Sequence, residues 1–197
     1  MKQRIIKHLE ESAEVKSNAA QNCTADIEKA ALVIAKSFKR GGKLLLCGNG
    51  GSAADCQHVA AEFVSRLTKD FERPALPAIA LTTDTSSLTA YANDFGFEGV
   101  FARQVQALGK AGDVLLAITT SGSSSNVIAA LKEAKNLGLE SVSLVGTGGK
   151  AKDLSTVTIS VQSNSTQHIQ ECHLSIEHIL CDLVEQMLYG ELKNYLA

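Results

Sequence analysis

The chain has 197 residues, 45% apolar and 20% charged, with a formal net charge of −2. That length suits one domain with a substantial core. Its 19 basic and 21 acidic side chains nearly balance, and no run of Lys or Arg forms a tail, which argues against a nucleic-acid partner. No stretch reaches the roughly 20 apolar residues of a membrane span. Met1-Lys2-Gln3-Arg4-Ile5-Ile6 runs straight into charged residues and lacks the apolar core of a signal peptide. The five cysteines, Cys23, Cys47, Cys56, Cys172 and Cys181, are odd in number and include no Cys-x-x-Cys pair. They read as small buried hydrophobes in a reducing cytoplasm rather than as a disulfide framework.

In chain order, residues 2–40 are helical in pattern. A break near Asn22-Cys23-Thr24 divides them, Thr24 is the expected cap of the second helix, and Gly41-Gly42 ends it. Residues 43–47 read as a buried strand and 52–67 as a helix. Residues 77–81 are the next strand, 86–91 a helix, 93–97 a loop and 98–108 a helix. Residues 113–118 form a strand, 126–137 a helix, 141–145 a strand and 156–161 a strand. A long helix closes the chain from 167 to about 196. Five short apolar runs alternating with helices imply a three-layer α/β architecture around a five-stranded parallel sheet, open and doubly wound. The expected organisation is one domain over 1–197: N-terminal helices at 1–40, an α/β core at 43–161 and a C-terminal helix at 167–196.

Two turns rich in glycine and hydroxyls each join a strand to a helix. They are Cys47-Gly48-Asn49-Gly50-Gly51-Ser52 and Thr119-Thr120-Ser121-Gly122-Ser123-Ser124-Ser125. Such turns aim backbone N–H groups and hydroxyls at a helix start, which is an anion pocket. Ser52 reads as an N-cap. Thr120, Ser121 and Ser124 can donate to phosphate oxygens. Neither turn carries the Gly-Lys-Ser/Thr of a nucleotide loop, so a small phosphorylated metabolite fits better.

Behind the first turn, His58 and Glu62 stand four residues apart on one polar helix face, a spacing that suits metal ligation or proton transfer. Asn93-Asp94 can bind sugar hydroxyls or simply end a helix. On the last helix His173 falls within an apolar stripe and reads as a packed, hydrogen-bonded residue, whereas His178 lies on the opposite side. A second apolar row, Leu174, Cys181 and Leu188, makes that helix apolar on two faces and points to a homo-oligomer.

These residues carry a resemblance. The chain resembles the sugar isomerase (SIS) domain family and, within it, the phosphoheptose isomerases. The resemblance runs through Cys47-Gly48-Asn49-Gly50-Gly51-Ser52, His58-x-x-x-Glu62, Ala92-Asn93-Asp94-Phe95-Gly96, Gly112-Asp113-Val114-Leu115-Leu116, Thr120-Ser121-Gly122-x-Ser124, and Ile169-Gln170-Glu171 with His173 and His178. It implies a flavodoxin-like SIS fold, a cytoplasmic homotetramer with shared active sites, and a bound zinc in each subunit. The implied reaction interconverts sedoheptulose 7-phosphate and D-glycero-D-manno-heptose 7-phosphate, towards the heptose of bacterial surface polysaccharide.

The resemblance also assigns roles. Glu62 would be the base and His178 the acid. Asn49, Gly50, Gly51, Ser52, Glu62, Thr119, Thr120, Ser121 and Ser124 would hold the ligand, with Asn93, Asp94 and Gln170 on the sugar. His58, Glu62, Gln170 and His178 would bind the zinc. Gln170 and His178 are eight residues apart, about 12 Å along a straight helix, so one ion reaches both only through a bend, long side chains or a second subunit. Two other readings share the scaffold: a non-enzymatic SIS protein that binds a replication initiator, and a SIS enzyme for another sugar phosphate.

Overall fold

The computed structural model describes residues 1–196, in which seven α-helices and five strands follow one another. Helices α1 (Lys2–Asn22) and α2 (Thr24–Lys39) precede β1 (Leu44–Gly48) and α3 (Gly51–Val64). Then come β2 (Ala78–Ala80), α4 (Thr85–Phe95), α5 (Val100–Leu108), β3 (Val114–Thr119) and α6 (Ser125–Asn136). β4 (Glu140–Val145), β5 (Val157–Ser160) and α7 (Thr166–Tyr189) complete the order. All strands are parallel and lie in the order β2-β1-β3-β4-β5. This is the doubly wound order whose switch point lies between β1 and β3, where the carboxyl ends open a crevice.

The central strands β1 and β3 are buried on both sides, so their sequences are near-continuous apolar runs. Their pleat sorts the core into two layers. Leu44, Leu46, Leu116 and Ile118 face α2, α3 and α7, against Ile34, Phe63, Ile176 and Leu180. Leu45, Cys47, Leu115 and Ala117 face α5 and α6, against Phe101, Val105, Val127 and Leu131. All five cysteines are buried and unpaired by disulfides. Burial pushes the Cys47 thiol up to about 12.

Several local expectations are corrected. Thr24 does not cap α2; its hydroxyl donates back to the Ala20 carbonyl at 2.7 Å, and Cys23 is the hinge between the two helices. The N-cap of α3 is Gly50, at φ 57°, which displaces Ser52 into the first turn. Helix α4 runs on to Phe95, so Asn93 and Asp94 occupy its last turn rather than a loop. The final helix stops at Tyr189. Gln186 accepts from the Glu191 N–H through its side chain at 3.1 Å and from the Leu192 N–H through its carbonyl at 3.1 Å, which turns the chain at Gly190.

α3 and α7 lie side by side and run in the same direction. A buried guanidinium fastens their later halves. Arg73 donates to Glu185 on α7 from Nε at 2.8 Å and from Nη2 at 2.6 Å. It also donates to the Glu62 and Phe63 carbonyls at the end of α3, each at 2.7 Å. The Arg73 side chain is wholly buried and that of Glu185 is 4% exposed. Removing one member strands the other charge in the core. Arg73→Ala is therefore expected to lose about 3–5 kcal/mol of stability, read as a lowered midpoint in urea unfolding. An unchanged midpoint would contradict this role.

Candidate functional site

The ladder pairs Gly48 of β1 with Ile118 of β3, so the turns that begin at Asn49 and after Thr119 emerge together at the carboxyl end of the sheet, on either side of the switch point. The turns are tied together there. Asn49 and Asn126 exchange amide hydrogen bonds, Nδ2 to Oδ1, at 2.9 and 2.8 Å. In the second turn Thr119 Oγ1 lies 3.1 Å from Ser124 Oγ and 3.4 Å from Ser121 Oγ. Ser124 stands at the N-cap of α6, yet its hydroxyl makes no bond to the helix amides. The start of α3 likewise has no side-chain cap. Neither helix start is capped by its N-cap side chain; in α6 the Val127 N–H is taken by Asn126 Oδ1 at 2.9 Å, and the amides ahead of it stand beside a cluster of hydroxyls, which suits an anion.

His58 and Glu62 project from α3, two and three turns beyond its start, and α7 brings His178 to His58. His58 Nε2 and His178 Nε2 are 2.8 Å apart, so one ring donates its proton to the other. The rings meet edge to face at a centroid distance of 5.0 Å. Glu62 Oε1 lies 3.7 Å from His58 Nε2. Its other oxygen, Oε2, is buried with no hydrogen-bond partner. A buried carboxylate oxygen without a donor is costly and asks for an ion, a water or a ligand. His58 is the shared member of this group. The three side chains do not all close to within 4.8 Å, since among the described residues that distance gathers only His8, His168 and Glu171.

The other expected site residues are placed as follows. Gln170 lies against Gly51: a Cβ there would stand 2.6 Å from Gln170 Nε2. Gln170 is thus about 10 Å along α3 from His58. Ser52 is buried in the first turn of α3, and Gly50 and Gly51 are exposed. Thr120 is half-buried, and its carbonyl accepts from the Gly146 N–H at 3.0 Å. Asn93 and Asp94 are exposed, and Asn93 Nδ2 donates to Asp94 Oδ1 at 2.9 Å. Among the described residues neither hydrogen-bonds to the two-histidine group.

Other groups bear on the site without having been singled out in the sequence. Arg73 holds the carbonyls at the end of α3, including that of Glu62. Glu177, next to His178, is fully buried, and neither of its oxygens has a partner. Burial, and then the nearby Asp55, push its carboxyl up to about 8. Asp55 is itself raised by burial, an effect that His58 opposes. His173 is packed as its place in the apolar stripe predicts. It is fully buried with Nε2 at 3.2 Å from the Val145 carbonyl, and burial lowers it to about 4.

Comparison with known proteins gives the family. The SIS domain family model matches residues 7–146. Over 189 residues the chain is 52% identical to the phosphoheptose isomerase of Aquifex aeolicus, covering 95% of this chain and 98% of that one. Over 188 residues it is 50% identical to that of a Roseiflexus species, covering 95% and 94%. The solved phosphoheptose isomerase of Neisseria gonorrhoeae superposes with a TM-score of 0.88 at 42% identity, covering 94% of this chain and 98% of that one. The chain belongs to the SIS domain family. Within it, the phosphoheptose isomerases are its near relatives, and the five-stranded parallel sheet is the architecture it shares with them.

This SIS protein therefore buries two titratable groups with opposite effects on stability. Glu177 has a folded value near 8, above its ordinary 4.5. Its contribution is full below pH 4.5 and is lost as pH rises towards 8. His173, lowered from 6.5 to about 4, contributes fully above pH 6.5 and loses that contribution as pH falls towards 4. Glu177→Gln is expected to match the parent at pH 5 and to exceed it at pH 8.5 by about 1–4 kcal/mol. Urea unfolding at the two pH values checks this, and equal differences at both would contradict it.

Proposed function

We propose that this chain is a phosphoheptose isomerase, interconverting sedoheptulose 7-phosphate and D-glycero-D-manno-heptose 7-phosphate through an enediol. The reading rests on one observation above all: the buried, unpartnered Glu62 Oε2 beside a proton-sharing pair of imidazoles, behind two hydroxyl-lined helix starts. The phosphoheptose isomerases at 50–52% identity over 95% of the chain support it.

In this reading the phosphate rests on the amides and hydroxyls of the second turn, Thr119, Thr120, Ser121 and Ser124. Asn49, Gly50, Gly51 and Ser52 form the opposite wall. Asn93, Asp94 and Gln170 address the sugar hydroxyls. Binding energy from the phosphate end holds the reacting carbons in place. Glu62 takes the proton from the carbon beside the carbonyl and returns it to the neighbouring carbon. His178 supplies a proton to the carbonyl oxygen and recovers one from the adjacent hydroxyl. His58, sharing a proton with His178, sets which of its ring nitrogens is free to act.

Two imidazoles and a carboxylate oxygen that lacks a donor are a set that zinc accepts. The zinc would be held by His58, Glu62 and His178; Gln170, about 10 Å along α3 from His58, would serve as fourth donor only from a second subunit. When bound, it would polarise the substrate carbonyl. A homotetramer with shared sites, a cytoplasmic location and a place in bacterial surface-polysaccharide synthesis complete the proposal. Among the described residues no helix is long and apolar enough to cross a membrane.

Turnover of sedoheptulose 7-phosphate to the aldose is the direct assay. Glu62→Gln is expected to lower kcat by about 10²–10⁴-fold while sugar-phosphate binding, measured by calorimetry, persists; normal turnover would remove the base assignment. Gly51→Ala should leave stability within about 1 kcal/mol, because the atom its methyl meets is the end of a flexible side chain. It should nevertheless lower turnover by displacing Gln170. A variant with parental kinetics would take Gln170 out of the site.

A further inference from the structure

At the opposite end of α7 from Glu185, a second group of ligating side chains has no part in the reaction above. His168 and Glu171 project from the first turns of α7, three residues apart, and His8 reaches them from α1. One ligand atom from each of the three lies within 4.8 Å of the others. His168 Nε2 and His8 Nδ1 are 3.4 Å apart. Two nitrogens bound to one tetrahedral ion at about 2.05 Å would be separated by about 3.3 Å. The pair is therefore already spaced for a shared metal.

The third residue fixes the chemistry of the first. Glu171 Oε1 lies 2.9 Å from His8 Nε2. A carboxylate oxygen only accepts, so His8 Nε2 carries the proton and, in the neutral ring, Nδ1 carries the lone pair facing His168. A carboxylate holding the outer nitrogen of a ligating histidine orients the ring and raises its basicity. Beside the pair opens a cavity of about 410 Å³ lined by His8, Glu11, Glu14, Ser165, Gln167 and His168. Glu14 adds a further carboxylate, while Glu11 is paired with Lys7 at 3.6 Å, and the volume admits the waters that would complete the coordination. The side chains of His8 and Glu171 are 40% and 37% exposed, so an ion can reach them.

We propose that His8 Nδ1 and His168 Nε2 bind a divalent transition metal of the zinc type, with Glu171 as the positioning carboxylate, at a site separate from His58 and His178. Imidazole donors select that class over calcium or magnesium. The site would join α1, which has few buried residues of its own, to the helix that carries Gln170 and His178. It does not depend on the proposed reaction.

The test uses the full chain, stripped with chelator, then exposed to zinc chloride and gel-filtered before metal analysis. A His58→Ala/His178→Ala background removes the other ligand pair, and circular dichroism checks its fold. In that background about one zinc per chain is expected. Adding His8→Ala should abolish uptake, and adding Glu171→Gln should weaken it by about 10–100-fold. Zinc should also slow amide exchange in α1, and only while His8 is present. A folded double variant that takes up no zinc, or a triple variant that keeps it, would overturn the proposal. His8-dependent uptake in that background, together with a parent chain inactive on sedoheptulose 7-phosphate, would support this site while removing the proposed function.

Discussion

The guanidinium of Arg73 lies between two helices and satisfies groups on both. Its partner carboxylate, Glu185, comes from α7, and the carbonyls of Glu62 and Phe63 come from the end of α3. A buried ion pair seldom adds much net stability, because desolvation offsets attraction. What it contributes here is register. Sliding one helix past the other by a single residue would move one partner by about 1.5 Å and rotate it by about 100°, stranding two charges. The pair therefore rejects wrong alignments more strongly than it rewards the right one. At the other end, Gln170 fits only because Gly51 has no side chain. Between these fixed points the two imidazoles meet at 2.8 Å.

This arrangement explains how a site spread over 120 positions of sequence is formed. The sheet places β1 and β3 side by side, so the two hydroxyl-bearing turns emerge together at its carboxyl end. The reciprocal amide pair of Asn49 and Asn126 then joins them. The turns supply an anion cradle, and the helix seam supplies titratable groups. Beneath the seam lie Asp55 and Glu177, both held above their ordinary values by burial.

Much of the fold was legible in the chain. Leu44-Leu45-Leu46 and Val114-Leu115-Leu116-Ala117-Ile118 read as strands because both faces of the sheet are covered, so no polar alternation interrupts them. His58 and Glu62 were legible as a pair because four residues is one helical turn. The meeting of His58 with His178 was expected only through the family resemblance, since nothing local encodes a contact between helices so far apart in sequence. Boundaries failed where side chains mislead. Asn93 and Asp94 suggest a loop but lie in the last turn of α4. Thr24 and Ser52 suggest caps, yet Thr24 bonds backwards and Gly50 takes the cap of α3. Arg73 sits in a polar connection that looks solvent-exposed, and only the tertiary structure turns its side chain inward. His8 lies on a mostly polar helix, and its neighbours are assigned by α7 alone.

The five thiols have a practical consequence. Each lies inside the folded chain, with Cys47 raised to about 12 by burial. A thiolate, rather than a thiol, attacks an alkylating reagent, so the native protein should be almost inert to one. Alkylation then reads the opening of the structure itself. Cys56 sits on α3 and Cys181 on α7, so these two record parting of the helix seam. Cys47, inside β1, records loss of the sheet. The order in which mass spectrometry finds them modified would separate a local breathing of the crevice from global unfolding, with no probe added to the molecule.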